Sequence, residues 1–97
     1  MINFSFYLDI NMVRDAGRDN KICGQPNSPD RIFFWPSSYN QMATEEECKA
    51  KCLAASDCVA VSVTSTSLVK WCVGCKVAPT TISNKKLKVF KKTIGIS

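Results

Sequence analysis

Histidine is missing altogether from the 97 residues. That absence removes His-based triads, imidazole general bases and every zinc site that needs an imidazole ligand, so most hydrolase mechanisms lose their usual proton carrier. No stretch approaches the roughly 20 apolar residues of a membrane-spanning helix, so no membrane span is expected. Acidic residues are missing from the C-terminal part: residues 58–97 hold seven lysines and no Asp or Glu, against six Lys/Arg and eight Asp/Glu in residues 1–57. The net charge of +5 therefore arises wholly from the C-terminal part. The opening M-I-N-F-S-F-Y-L-D-I-N-M lacks both the early basic residues and the continuous apolar run of a secretory signal, which makes a mature fragment with its leader removed the expectation. Internal repeats and long low-complexity tracts are also lacking, and a chain of this length reads as one domain over residues 1–97.

What is present in quantity is cysteine. Six cysteines in a short chain that is 45% apolar point to a foldable domain whose modest core is supplemented by cross-links. Ile2, Phe4, Phe6, Leu8, Ile10 and Met12 alternate with polar residues, the period-two pattern of a strand with one apolar face. This amphipathic N-terminal strand, residues 1–12, is expected either to pair inside the domain or to add to the sheet edge of a neighbour. R-D-A-G-R-D-N-K (14–21) and G-Q-P-N-S-P-D (24–30) are turn material. Their Asp and Asn residues lack the spacing of a calcium loop. Ile32 to Trp35 form a compact aromatic run that reads as a short buried strand, with the lining of a pocket as the alternative. Asn3-Phe4-Ser5 matches a glycosylation sequon but falls inside the predicted strand.

Thr44 followed three residues later by Glu47 predicts a capping box at the start of a helix, and Glu45 to Glu47 suit its positive end. Adjacent helical carboxylates diverge, so these three do not read as a metal cluster. Cys48 and Cys52 stack on one face of that helix, which is expected to end near Ser56 and Asp57. Residues 58–64 alternate as a strand, 65–67 form a loop, and Val69, Trp71, Val73, Cys75 and Val77 share one face of the next strand, opposite Lys70, Cys72, Gly74 and Lys76. Residues 87–94 read as a last, lysine-studded strand.

W-C-V-G-C (71–75) resembles a redox motif in spacing, yet K-V-A-P-T-T is a poor helix start and leaves the first thiol without a helix dipole to lower its pKa. A four-thiolate zinc site from Cys48, Cys52, Cys72 and Cys75 would leave Cys23 and Cys58 unexplained. Three disulfides leave no remainder. Cys52 and Cys58 are separated by one tight reversal and are expected to bond. Cys48 lies on the helix face that meets the sheet, and Cys75 shares its strand face with Trp71 and Val73, so Cys48–Cys75 is expected next. Cys72, on the opposite face, is then left for Cys23.

T-E-E-E-C-K-A-K-C-L-A-A-S-D-C-V-A-V-S-V followed by C-K-V resembles the PAN/apple domain over residues 42–77, through Cys48, Cys52, Cys58 and Cys75 with Val77; residues 1–40 match loosely. The resemblance implies an α+β fold, a small disulfide-stapled antiparallel sheet packed on one α-helix. It also implies pairing of Cys48 with Cys75 and of Cys52 with Cys58; apart from the resemblance, Cys72 stays open as an alternative partner of Cys48. The function it implies is extracellular adhesion or recognition of protein or carbohydrate, without catalytic residues, cofactor or metal. The expected contact surface is basic: Lys76, Lys85, Lys86, Lys88, Lys91 and Lys92, facing an acidic glycan or an acidic protein patch. A plain solvated edge strand explains the same lysines. Nucleic acid is disfavoured, because Phe90 is the only aromatic among them and a disulfide-rich chain belongs to a secreted or extracellular setting. The alternative function is a structural subunit of an extracellular assembly, self-associating through residues 2–12; a disulfide-stabilised toxin or protease inhibitor is a third reading, resting on cysteine density alone.

Overall fold

The computed structural model describes residues 8–35, 44–65 and 71–96. Within them the T-E-E-E run starts helix α1 (Glu45–Ala54) through the expected capping box: the Glu47 amide donates to Thr44 Oγ1 and the Thr44 amide donates to Glu47 Oε1, each at 3.1 Å. The helix stops short of Ser56 because the chain must reverse to bring Cys58 onto Cys52, and the Cys58 amide donates to Ala55 O at 3.0 Å in that reversal.

Among the described residues seven strands accompany the helix: β1 (Leu8–Arg14), β2 (Lys21–Ile22), β3 (Arg31–Trp35), β4 (Ala60–Thr64), β5 (Cys72–Cys75), β6 (Thr81–Ile82) and β7 (Leu87–Ile96). Five form an antiparallel sheet in the order β1-β7-β4-β5-β3, and β2 pairs with β6 in a small second sheet. The α+β class read from the sequence is the class observed. The short β2 and β6 had no signal in the sequence, since two residues show no alternation. The lysine-studded β7 is not an edge strand: it lies between β1 and β4.

Both faces of the large sheet are covered at its centre. On one, Cys48 and Cys52 of the helix pack with Val61, Val63, Cys72 and Phe90, joined by Met12, Phe33 and Trp35. On the other, Cys23 packs with Ala60, Val73 and Cys75, and Ser62 Oγ donates to Lys21 O at 2.7 Å, tying β2 to the sheet. Ser62 is the buried polar residue of this layer, and that bond satisfies it.

The disulfides follow from these two layers and correct the expected pairing. Cys52–Cys58 is as predicted; Cys48 bonds Cys72, the alternative left open for it, rather than Cys75, and Cys23 bonds Cys75 rather than Cys72. The bonds are nested, first cysteine to sixth, second to fifth, third to fourth. Alternation along β5 does send Cys72 and Cys75 to opposite faces, with the assignment of faces interchanged: Cys72 and Gly74 look toward the helix, Val73 and Cys75 toward the N-terminal layer. Every residue of β5 is buried, so the apolar character of Trp71, Val73 and Cys75 marked a covered face without saying which layer covered it.

β1 pairs with β7 inside the chain from Leu8↔Ile96 to Arg14↔Phe90, two residues past its expected end; residues 2–7 lie outside the described residues. Its predicted apolar face is only partly used. Met12 packs on the core, whereas Ile10 and its cross-strand partner Ile94 are 44% and 66% exposed. The reason is reach: β4 pairs with β7 only from Leu87 to Lys91, and α1 ends beside Lys92, so among the described residues no layer lies above the far end of the β1–β7 ribbon.

A clamp fixes the near end. Arg14 pairs with both carboxylate oxygens of Asp19, Nη2 to Oδ2 at 2.6 Å, and Asp19 accepts a further bond from the Val89 amide at 3.3 Å. The Arg14 hydrogen bond holds the Asp19 carboxyl below its ordinary value. A carboxyl depressed in the folded state stabilises fully above its unfolded pKa, about 4, and loses that contribution as pH falls through the lowered folded value. With the Asp19 side chain about a third exposed, the effect is modest. In thermal melts between about pH 5 and pH 2, Asp19→Asn should therefore show a shallower decline of Tm than the parent; identical slopes would exclude this clamp as a source of acid lability.

Candidate ligand groove

The turn of residues 24–30 and the start of β3 build the most distinctive polar-apolar surface among the described residues. Gly24 has φ +80°, and a Cβ there would meet Ser28 Oγ at 2.5 Å, so this tight turn requires glycine. Asn27 takes φ 71°, a left-handed conformation its short polar side chain tolerates. The Ser28 amide donates to Gln25 O, the Arg31 amide to Ser28 O and the Asp30 amide to Ser28 Oγ, which closes the turn on itself. The Lys76 amide donates to Asp30 O at 2.9 Å and anchors the turn to the end of β5. Between Arg31 and Phe33 the register of β3 on β5 shifts, an irregularity of the kind that re-aims a side chain.

Arg31 is the consequence. Its Nη2 donates to Gly24 O at 2.9 Å, while its buried Nε has no hydrogen-bond partner. Arg31 forms no ion pair with an acidic side chain among the described residues, and burial pushes the guanidinium below its ordinary value without any opposing charge. A desolvated cation left without a counter-charge is costly in a finished core and ordinary in a site that receives an anion.

Beside it, Phe34 stands edge-on to Trp71, ring centroids 5.2 Å apart at 73°, and remains 41% exposed. Lys85 Nζ sits 4.8 Å from the Trp71 ring centroid. Pro26, Asn27, Ser28, Arg31 to Phe34 and Trp71 together line a groove of about 460 Å³, a size suited to a small ligand. The aromatic run is an edge strand that serves both readings: Ile32, Phe33 and Trp35 pack, partly buried, against the core, and the same strand lines the groove with Phe34 exposed.

The six lysines expected to form one basic surface are dispersed. Lys88 pairs with Glu45 at 2.5 Å, and Lys92 donates to Ala55 O at 2.8 Å, where a cation suits the helix C-terminus. Both lie on the helix side of β7, and the exposed Lys91 lies on the opposite side by alternation. Lys76, Lys85 and Lys86 are exposed, and of these Lys85 reaches the groove through Trp71. Cys72 and Cys75 are bonded to different partners, and no free cysteine remains, so neither a C-x-x-C thiol pair nor a thiolate zinc site is formed. Arg31, Asn27 and Ser28 were missed in the sequence. The available signal was an isolated Arg between a P-N-S-P-D turn and an aromatic run.

The fold defines a class: a small α+β module stapled by three disulfides, with a covered sheet and a cationic groove at its β3 edge. Compared with protein-family models, curated proteins and solved structures, the chain matches none. Among the described residues no helix is long and apolar enough to cross a membrane.

Proposed function

We propose that this chain is a secreted, non-enzymatic recognition module that binds an anionic group of a carbohydrate or protein in the Arg31 groove. The observation that carries the reading is the half-buried Arg31 guanidinium, which among the described residues has an unpartnered Nε and no ion-paired acid, set against the aromatic pair Phe34 and Trp71. Three disulfides support an oxidising, extracellular setting. The PAN/apple resemblance of residues 42–77 supports an adhesion or recognition role, and the helix carrying Cys48 and Cys52 ahead of Cys58 and β4 supports that resemblance. Against it stands the Cys48–Cys72 bond, where the resemblance implied Cys75.

The test is an array of acidic and neutral glycans and extracellular proteins probed with the labelled chain and with its Arg31→Gln variant. Retention confined to anionic probes, and reduced at least tenfold in the variant, is expected. Retention unchanged in Arg31→Gln but lost in Lys85→Ala/Lys86→Ala would move recognition to the lysines and overturn the groove assignment.

A further inference from the structure

The groove's chemistry narrows the ligand further, resting on the reading just proposed. Its embedded charge is the Arg31 guanidinium, with the exposed Lys85 adding a cation only at the solvated rim through Trp71, so one negative charge matches the embedded cation and the second charge of a phosphate dianion would have only the rim lysine to meet. The guanidinium is planar, and a carboxylate presents two oxygens in a matching plane. Nη2 donates to Gly24 O, which fixes the orientation of the guanidinium; the unpartnered Nε is shut off from solvent, so the donors open to an incoming carboxylate are at Nη1, which forms no hydrogen bond among the described residues.

The walls specify what the carboxylate is attached to. Phe34, exposed and braced edge-on by Trp71, offers a rigid apolar surface immediately along β3 from Arg31. Asn27 and Ser28 line the same groove from the turn, and Ser28 Oγ accepts from the Asp30 amide, which leaves its hydroxyl hydrogen to donate elsewhere. An apolar wall, two neutral polar side chains and one embedded cation together match a saturated ring that carries hydrogens on its face, hydroxyls on its rim and a carboxylate bonded directly to a ring carbon. We infer that the groove is a subsite for the carboxylated sugar ring of an acidic glycan, with Arg31 on the carboxylate, Phe34 and Trp71 on the ring and Asn27 and Ser28 on the hydroxyls. A sulfate ester has the same charge but is tetrahedral and sits one oxygen further from its ring, so it matches the planar guanidinium less well than a carboxylate does.

The experiment is a titration followed by the Arg31 Nε–H and Trp71 indole N–H resonances. Its four probes are an unsulfated glucuronate-containing tetrasaccharide, the same tetrasaccharide with its carboxyls reduced to alcohols, a sulfated oligosaccharide without uronate, and a short peptide with a free C-terminal carboxylate. The uronate probe should shift both resonances saturably, and the carboxyl-reduced form should bind at least tenfold more weakly. Arg31→Lys, which keeps the charge and loses the planar fork, should weaken uronate binding about tenfold with the rest of the spectrum unchanged. Phe34→Ala, at an exposed position, should weaken it independently of any effect on Arg31. Equal binding of the carboxyl-reduced form, or tighter binding of the sulfated probe or the peptide at the same resonances, would overturn the sugar-acid assignment and leave a recognition groove standing. Silence of both resonances toward all four probes would overturn the groove and this inference together.

Discussion

Replacing Cys23 and Cys75 together by alanine should lower the melting temperature by roughly 15–30 °C, the largest effect expected of any one bond in this chain. The bond spans a sequence separation of 52, against 24 for Cys48–Cys72 and 6 for Cys52–Cys58. Taken alone, chain entropy assigns these closures about 4, 3.5 and 2.4 kcal/mol. Nesting tempers the first figure, because with Cys48–Cys72 intact the outer loop shortens to about 30 residues and its closure to about 3.6 kcal/mol. That is still a large share of the 5–15 kcal/mol typical of a domain. Cys23 also joins the turn layer to the sheet, one residue before the Gly24 carbonyl that holds Arg31. The double variant should therefore lose groove binding at temperatures where the helix and Cys48–Cys72 remain folded. Calorimetry of the three double-alanine variants provides the check, and a Cys52/Cys58 variant as destabilised as the Cys23/Cys75 variant would contradict this ordering.

Gly74→Ala should cost about 2–3 kcal/mol, far more than an exposed glycine-to-alanine change in a strand. A Cβ at Gly74 would point to the helix side of β5 and run into the Phe33 ring, 2.5 Å from both Cδ2 and Cζ. Phe33 lies directly opposite Gly74 on β3, its ring filling the space that glycine leaves and sitting 5.3 Å below Lys51 Nζ. The methyl group would displace the ring and with it the edge strand that carries Arg31 and Phe34. In a Phe33→Ala background the space already exists, so the same substitution should cost under about 1 kcal/mol. Urea unfolding of the four proteins in this cycle measures the coupling. Strictly additive effects would show that Phe33 and Gly74 do not share the space the structure assigns them.

Local chemistry made much of the framework readable. Thr44 and Glu47 encoded the start of the helix through side chains that bond to neighbouring amides, and that logic needs no tertiary partner. Cys52–Cys58 was readable because a six-residue separation at a helix end leaves little freedom. Alternation correctly placed Cys72 and Cys75 on opposite faces of one strand, since period two is a property of the backbone itself. The lysines were less legible for the opposite reason. Their density suggested a continuous charged surface, yet Lys88 and Lys92 are engaged by Glu45 and Ala55 O, groups brought near only when α1 packs along β7.

The groove illustrates the same division. Gly24 and Asn27 announce a turn by their conformational tolerance, but nothing in the order of residues places Trp71 beside Phe34 or leaves Arg31 Nε without a partner. The sequence by itself determined the helix and its cap, the strand alternation, the exclusion of histidine chemistry and the shortest disulfide, all of which depend on neighbours within a few residues. Only the tertiary structure decided which layer each face of β5 meets, hence the bonds Cys23–Cys75 and Cys48–Cys72, and which cation is left desolvated and unpaired. Those outcomes depend on sheet order and on what covers each side, and a strand buried on both faces carries no local mark that distinguishes one side from the other.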